Sequence, residues 1–599
     1  MLLLRRTLFL ILILAYLCAL LISCSATDGK STDGADDEDS PSLDGIVPNA
    51  VNFSEITYSR PDTEALSEKL SELTFLVTNG GAQSQEIASE LNEAVADYLD
   101  YSSMLSYAAL MYAKNDADTY YLQEFRELRK DYPELLVKKE QLAYAIITSP
   151  VKNELPTLGF DDTTVTKIDS AHEVNEDFFN LLLEEEELKC EFDLLSKSTV
   201  NITFGGITDS YASTVERLKT SFDVHSMHFT RALEECSNLY ERELDRSRCD
   251  IFVRLVKVRT LIAASLGYES YNDYAYDVLN YEHTEDAYKE FSEDIFEYLL
   301  PVYSDISLKI FNPYFNNHIP KLLDKNTVIG NILKVYKGLD STLYNAFGAM
   351  ISAKLYDIAP KSEERCNDSR TLYFGHKCAP FIFLTAFGDA RDYGAISYEF
   401  SSYYSILKAG SASVDPLSAE IGAKALEMIT LSGLAKTLDK ENEKYLYYLS
   451  TKDTLNQIIY SGFLSIVEHE IYDMSYGDIS LASVNALIES VAAECSLTSH
   501  RLSDIITRDL VTAPHRTQCK AMSTFYAAEL FSADESSAID FYNAVIGDRG
   551  DASLKSVING FGVPSPFGEN AVMDFADRIF YSINGYHYYK SNSDFGNVA

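Results

Sequence analysis

The sequence predicts a mostly α-helical protein of two or more lobes, with one small β element ahead of a central helix. Three observations carry this reading. Apolar residues recur at spacings of three and four along most of the chain, the period of a helix with one buried face. At 599 residues the chain is too long for one compact core. Only two stretches, near 197–212 and 359–394, interrupt the helical pattern with β-branched or continuously apolar runs.

The first residues, MLLLRRTLFLILILAYLCALLISC, place Arg5 and Arg6 before an apolar run from Leu8 to Ile22. That run is short for a membrane span, which needs about 20 residues. It ends in Leu21-Ile22-Ser23-Cys24, which resembles a bacterial lipobox. The resemblance implies a signal peptide over 1–24, lipidation of Cys24, and a mature protein anchored in the cell envelope. The anchor would lie on the outer side of the cytoplasmic membrane, or on the periplasmic side in a Gram-negative cell. Residues 25–52 are rich in Gly, Ser, Asp and Pro and predict a flexible acidic tether.

From about residue 62 helical spacing sets in, as in ALSEKLSELTFLV, IASELNEAVADYL and YYLQEFRELRKDYPELL. An N-terminal helical lobe is expected over 53–200. The stretch KSTVNITFGGITDSYAS, with Gly205-Gly206 as its turn, marks the boundary to a main domain over 201–599. Long amphipathic helices resume beyond it. The apolar run Pro380–Phe387 reads as a buried strand.

The net charge is −41, which argues against nucleic-acid binding, because such a surface repels the phosphate backbone. Hydrophobic content of 46% and charged content of 24% are ordinary for a folded protein. Beyond Cys18 and Cys24 the cysteines are 190, 236, 249, 366, 378, 495 and 519, with no CxxC pair. Buried free thiols are expected, with Cys366–Cys378 the one pairing considered.

The segment from Pro380 to Ile429 carries the most information. Pro380-Phe381 lead to Gly388 and Asp392, then to Tyr398-Glu399-x-x-Ser402, and later to Ala419-Glu420 and Glu427. This order resembles the oligoendopeptidase F branch of the M3 zinc peptidases. There the helix bears HExxH, and an Ala-Glu with a second Glu seven positions on follows downstream. Other pieces fall in the same order. Tyr58-Ser-Arg60-Pro61-Asp62 resembles the family's YxRPD. Asn115 to Glu124, Arg254–Arg259 and Leu266–Tyr271 resemble its later signatures, and Phe541–Val563 its closing helices. The resemblance implies a two-lobed helical fold with a deep central cleft and a small β element.

HExxH works because residues four apart share one helix face, so two imidazoles meet one metal while the Glu acts on metal-bound water. A catalytic zinc needs three protein ligands and an open position. Here Tyr398 and Ser402 stand where the histidines belong. Glu399 keeps the base position and Glu420 the third-ligand position. Neither Tyr nor Ser readily offers zinc an anion at neutral pH. In the family a late His precedes closely spaced tyrosines that bind substrate and stabilise the oxyanion. His515 matches that His, but Ala521, Ser523 and Phe525 occupy the tyrosine positions, and Tyr526 fits only if the register slips.

The expectation is therefore a pseudopeptidase without a bound cofactor, taking peptides or a protein partner in its cleft and held to the membrane through Cys24. Two alternatives stand beside it. One is an active zinc peptidase with a rearranged site using His469 or His376 with Glu420. His469-Glu470-Ile-Tyr-Asp473 has the form HExxD, although it falls on a helix expected to be structural. The other is a structural surface lipoprotein with a vestigial cleft. Glu399 and Glu420 with Asp389 or Asp392 could also hold a hard cation, and His225-Ser-Met-His228 reads as a surface or packing pair.

Overall fold

The computed structural model describes residues 51–584, except 80–83, 116–117, 151–175, 280, 282, 311–323, 363–364, 367–368, 410–414, 438–439, 499, 534–536 and 548–552. Cys24 and the tether lie outside the described residues. The fold is mostly helical, as the apolar spacing predicts.

Three long helices open it: α1 (Thr63–Asn79), α2 (Ser84–Lys114) and α3 (Thr119–Thr148). They pack on one another through a core of their own, with Leu70, Leu73, Tyr101, Ala108 and Leu142 almost wholly buried. Two of the sequence signatures meet here. Tyr58 donates to Glu124 at 2.5 Å, and Arg60 donates to both oxygens of the same carboxylate at 2.8 Å. A bidentate guanidinium–carboxylate pair is directional as well as strong, so it pins the entering chain to α3.

Helix α4 (Glu176–Asp193) follows, then the hairpin of β1 (Asn201–Phe204) and β2 (Ile207–Ser210). Its turn is Gly205-Gly206, both at positive φ, as a tight antiparallel turn requires. Helices α5 (Tyr211–Ser221), α6 (Met227–Ser265) and α7 (Tyr271–Val278) come next. Phe178 and Leu188 of α4 join the core of α6. The apolar face of α4 thus packs with α6 from Phe178 to Leu188, before the hairpin.

A π-helical turn, Ile295–Leu299, joins α8 (Glu285–Asp294) to α9 (Leu300–Ile310), and α10 (Lys325–Leu339) and α11 (Ser341–Ser352) lead into the sheet. The sheet consists of β3 (Tyr356–Pro360), β4 (Ser369–Phe374) and β5 (Ala379–Ala386), in the order β3-β5-β4. β5 pairs parallel with β3 and antiparallel with β4, with Tyr356 opposite Ile382 and Thr371 opposite Ile382 from the other side. β5 is central and buried along both faces, which is why its sequence is continuously apolar. β4 is left as an edge strand.

Chain direction then turns from β5 into α12 (Arg391–Ala409). Gly388 supplies the positive φ, and the Asp392 carboxylate accepts from the backbone N–H of Phe387 and Gly388 at 2.7 and 2.9 Å. The Gly-to-Asp spacing therefore builds the corner between strand and helix. Helices α13 (Pro416–Ala435), α14 (Lys440–Tyr472), α15 (Leu481–Glu494), α16 (Leu502–Ile505), α17 (Arg508–Thr512), α18 (Arg516–Ala533), α19 (Ala538–Ile546), α20 (Leu554–Gly560) and α21 (Ala571–Asn584) complete the fold. Helix α14 belongs to two cores. Leu455 and Ile458 join the sheet and α12–α13, while Phe463 and Val467 join α6 and α15. Every residue of the buried core clusters falls between Ile56 and Ile579.

All seven cysteines of the described residues are free thiols, Cys366 and Cys378 included, and the other five are buried.

Candidate functional site

Helix α12 carries Tyr398, Glu399 and Ser402, and α13 carries Glu420. The two helices pack side by side, Pro416 starting α13 behind the Asp415 cap. This brings Tyr398 and Glu420 together: the Tyr398 hydroxyl donates to Glu420 Oε2. Burial pushes the Tyr398 hydroxyl well above its ordinary range, and the neighbouring Glu420 carboxylate and its hydrogen bond push it further. Tyr398 is therefore a committed donor and not a phenolate.

Each retained acid has a partner within the protein. Glu399 accepts from Thr371 Oγ1 of β4 at 2.9 Å, and its backbone carbonyl accepts from the same hydroxyl at 3.1 Å. Glu427 is held by the buried Lys424, whose ammonium lies 3.0 Å from both carboxylate oxygens. Glu427 also lies over Gly394, where a Cβ would come within 3.2 Å of its side chain. Asp389 is bound by Arg391, with the nearest contact at 2.7 Å, and Asp392 caps the corner described above.

Of these groups Tyr398, Glu399 and Glu427 line a groove of about 410 Å³ together with Ser369, Arg391, Asp453 and Lys520. Lys520, on α18, is a groove residue that motif reasoning did not single out. Its ammonium is bound by Asp509. Burial acts to lower its pKa, but Asp509, Glu420 and Glu399 outweigh that and hold it protonated. The only sequence signal was its place one residue before the expected tyrosines. Asp453, on α14, is shifted upward by burial.

His515 does not face this groove. It is fully buried, and both ring nitrogens lack a partner among the described residues. Its backbone, at φ 62°, is held from both ends: its N–H donates to Glu468 at 2.9 Å and its carbonyl accepts from the Tyr281 hydroxyl at 2.8 Å. Rings of Tyr271, Tyr472 and His469 surround it, with the His469 ring centre 4.9 Å away. Burial, then the charges of His469 and Arg259, push it far below its usual pKa. The physical reason is that this His falls in the tight turn before α18, between α7 and α14, where no solvent reaches.

Arg259 explains the signature around it. Fully buried, it bonds Glu185 at 2.9 Å, the Tyr472 hydroxyl at 2.8 Å and the carbonyls of Leu510 and Val511. These residues fix the approach to α18 and act structurally.

The tyrosine positions of α18 are also interior. Ala521, Ser523 and Phe525 are buried, and Phe525 stacks edge-on against Phe291 and Phe575. Tyr526 lines a different cavity, beside Tyr281, His283 and Cys519.

The alternative histidines are placed elsewhere too. His469 is buried, its Nδ1 2.8 Å from the Ser465 carbonyl and its Nε2 3.0 Å from the Tyr276 hydroxyl. His376 lies against α2, where its backbone N–H donates to Ser103. Among the described residues no three His, Cys, Asp or Glu side chains converge on a point that could hold a metal ion. The donor set at the α12–α13 crossing does not fit zinc. It offers one carboxylate, already bonded to a phenol that burial keeps protonated, where three ligands are needed. The hard-cation arrangement likewise lacks free carboxylates, since Asp389 and Asp392 are engaged.

No family model matches the sequence, and no curated protein matches it. Solved structures do share its fold. PZ peptidase A, solved with an inhibitor, superposes with a TM-score of 0.67 at 18% identity, covering 89% of this chain and 99% of its own. A protein assigned as oligoendopeptidase F from Bacillus anthracis gives 0.65 at 18% identity, covering 90% and 99%. Oligoendopeptidase F from Enterococcus faecium gives 0.52 at 12% identity, covering 86% and 97%. Over most of its length, then, the chain has the oligoendopeptidase F fold.

Proposed function

We propose that this chain is a pseudopeptidase: a lipid-anchored protein that binds extended peptides, or a segment of a partner protein, in the groove between α12 and α14 without hydrolysing them. One observation supports the loss of hydrolysis: the Tyr398 hydroxyl is spent on Glu420. The motif resemblance puts Tyr398 where a zinc-binding histidine would stand and Glu420 at a ligand position. The site is closed by a hydrogen bond between two of its own side chains.

Binding is supported by the edge of the sheet. Among the described residues β4 stands at the end of the strand order β3-β5-β4, and its Ser369 lines the groove. An extended peptide can add to such an edge and satisfy its backbone there. The acidic surface favours a basic or neutral peptide. Attachment through Cys24 would hold the folded body near the membrane.

The test uses residues 26–599, which contain every core cluster residue. Incubated with zinc and an internally quenched peptide library, this protein is expected to show no chelator-sensitive cleavage, while labelled peptides from the same library bind saturably. Chelator-sensitive cleavage would restore the peptidase reading. Restoring both ligands, Tyr398→His with Ser402→His, is expected to raise zinc affinity about tenfold or more, since three ligands then converge. In the full chain, Cys24→Ala is expected to move the protein out of the membrane fraction.

A further inference from the structure

A second cavity opens beside the groove. Its volume is about 630 Å³, within the range of ligand pockets. Its walls come from four helices: Leu431 on α13, Leu446 on α14, Phe531 on α18, and Phe575 and Ile579 on α21. Among the described residues its rim carries Lys436, Lys440 and Lys444, all exposed, and one acid, Glu443. Three lysines at one mouth stand out in a chain with a net charge of −41. Lys440 and Lys444 are four apart on α14 and so share a helix face with Tyr447 and Thr451, which also line the cavity.

From this combination we infer a binding site for a long-chain carboxylate: an apolar tail in the cavity, an anionic head at the lysines. Charge complementarity selects an anion, because the described lining carries three lysines and one acid. The wall chemistry selects an acyl tail over a peptide. All its lining residues but Lys436, which caps α13, lie on helices, whose interior backbone groups are bonded within the helices. A peptide body would leave its own N–H and C=O groups unpaired against Leu, Phe and Ile, at a cost of roughly 1–3 kcal/mol each. An acyl chain has no such groups, and burying it gains about 0.8 kcal/mol per methylene. The site is separate from the proposed peptide groove in both chemistry and wall, although the two share Leu431, Leu446 and Ser450 at their border.

The experiment titrates residues 26–599 with dodecanoate, with dodecylamine as the probe of opposite charge, by calorimetry. Dodecanoate is expected to bind saturably at one site, at least about tenfold more tightly than dodecylamine. Lys440→Glu with Lys444→Glu lies on the exposed rim and leaves the core untouched. It is expected to remove that preference. Ala528→Trp, which fills the cavity from α18, is expected to abolish binding of both. Absence of saturable dodecanoate binding, or equal affinity in wild type and the rim variant, would overturn the proposal. So would saturable binding of an apolar peptide with a free C-terminus at this cavity, blocked by Ala528→Trp, when dodecanoate does not bind. None of these outcomes depends on whether peptides bind in the groove.

Discussion

Tyr398 and Glu420 show how one side chain sets the chemistry of a site. A histidine at 398 would present a neutral nitrogen lone pair. A tyrosine presents a proton, and the acceptor it meets is the Glu420 carboxylate. Glu399 has a local role as well: Thr371 ties it to β4, so it helps fasten helix to sheet. A second carboxylate, Glu468, gives a prediction about pH. Burial raises its pKa to about 7, against the lowering effect of its bonds from Thr517 and the His515 N–H. Its ordinary value is 4.5. Between pH 4.5 and 7 the folded state binds this proton more tightly than the unfolded state, so its contribution to stability falls as pH rises through that window. His515 and His469, both lowered, act in the opposite direction below their ordinary value of 6.5. Denaturant unfolding of wild type and Glu468→Gln separates the two effects. The stability difference between them is expected to shift in the variant's favour by a few kcal/mol, roughly 1–3, from pH 5 to pH 8. A pH-independent difference would place the Glu468 proton elsewhere.

At the scale of elements, the α12–α13 pair depends on small residues where helices cross. Gly422 of α13 faces α19, and a Cβ there would stand 2.4 Å from Ile546 Cγ2. Gly422→Ala is therefore expected to cost about 1–3 kcal/mol by overpacking, measurable by urea denaturation. Gly560→Ala, where a Cβ meets nothing within 4 Å, serves as the control. Elements of this kind were legible to different degrees. The strand at 379–386 and the hairpin turn at Gly205-Gly206 could be read directly, because a continuous apolar run and a paired glycine have few other uses. Helix α12 and its Tyr-Glu-x-x-Ser face could be placed from the resemblance in the order of motifs. Lys520 could not, since nothing local distinguishes a lysine in a groove from one in solvent. His515 was misjudged in its surroundings for the converse reason. A histidine at a matching position says nothing of the rings that pack around it from α7 and α14.

Across the whole molecule the dominant physical fact is charge. With 91 acidic and 50 basic residues, the folded state works against its own repulsion. Screening should relieve it. The melting temperature of residues 26–599 is expected to rise by a few degrees, about 2–5 °C, between 10 mM and 500 mM sodium chloride, as the Debye length falls from roughly 30 Å to below 10 Å. No rise would mean that local ion pairs, such as Arg259–Glu185, matter more than the overall field. What the sequence determined by itself is what periodicity and order encode: helices nearly throughout, a buried strand before a helix, and the succession of elements that the oligoendopeptidase F fold shares. What only the tertiary structure decided is where side chains far apart in the chain meet. Tyr398 reaching Glu420, Glu124 gathering Tyr58 and Arg60, Arg259 binding the carbonyls before α18, and four helices closing on one lysine-rimmed cavity all depend on packing. The reason is physical: local sequence sets which face of a helix is apolar, whereas the partner of each polar group is fixed only when those faces are buried against one another.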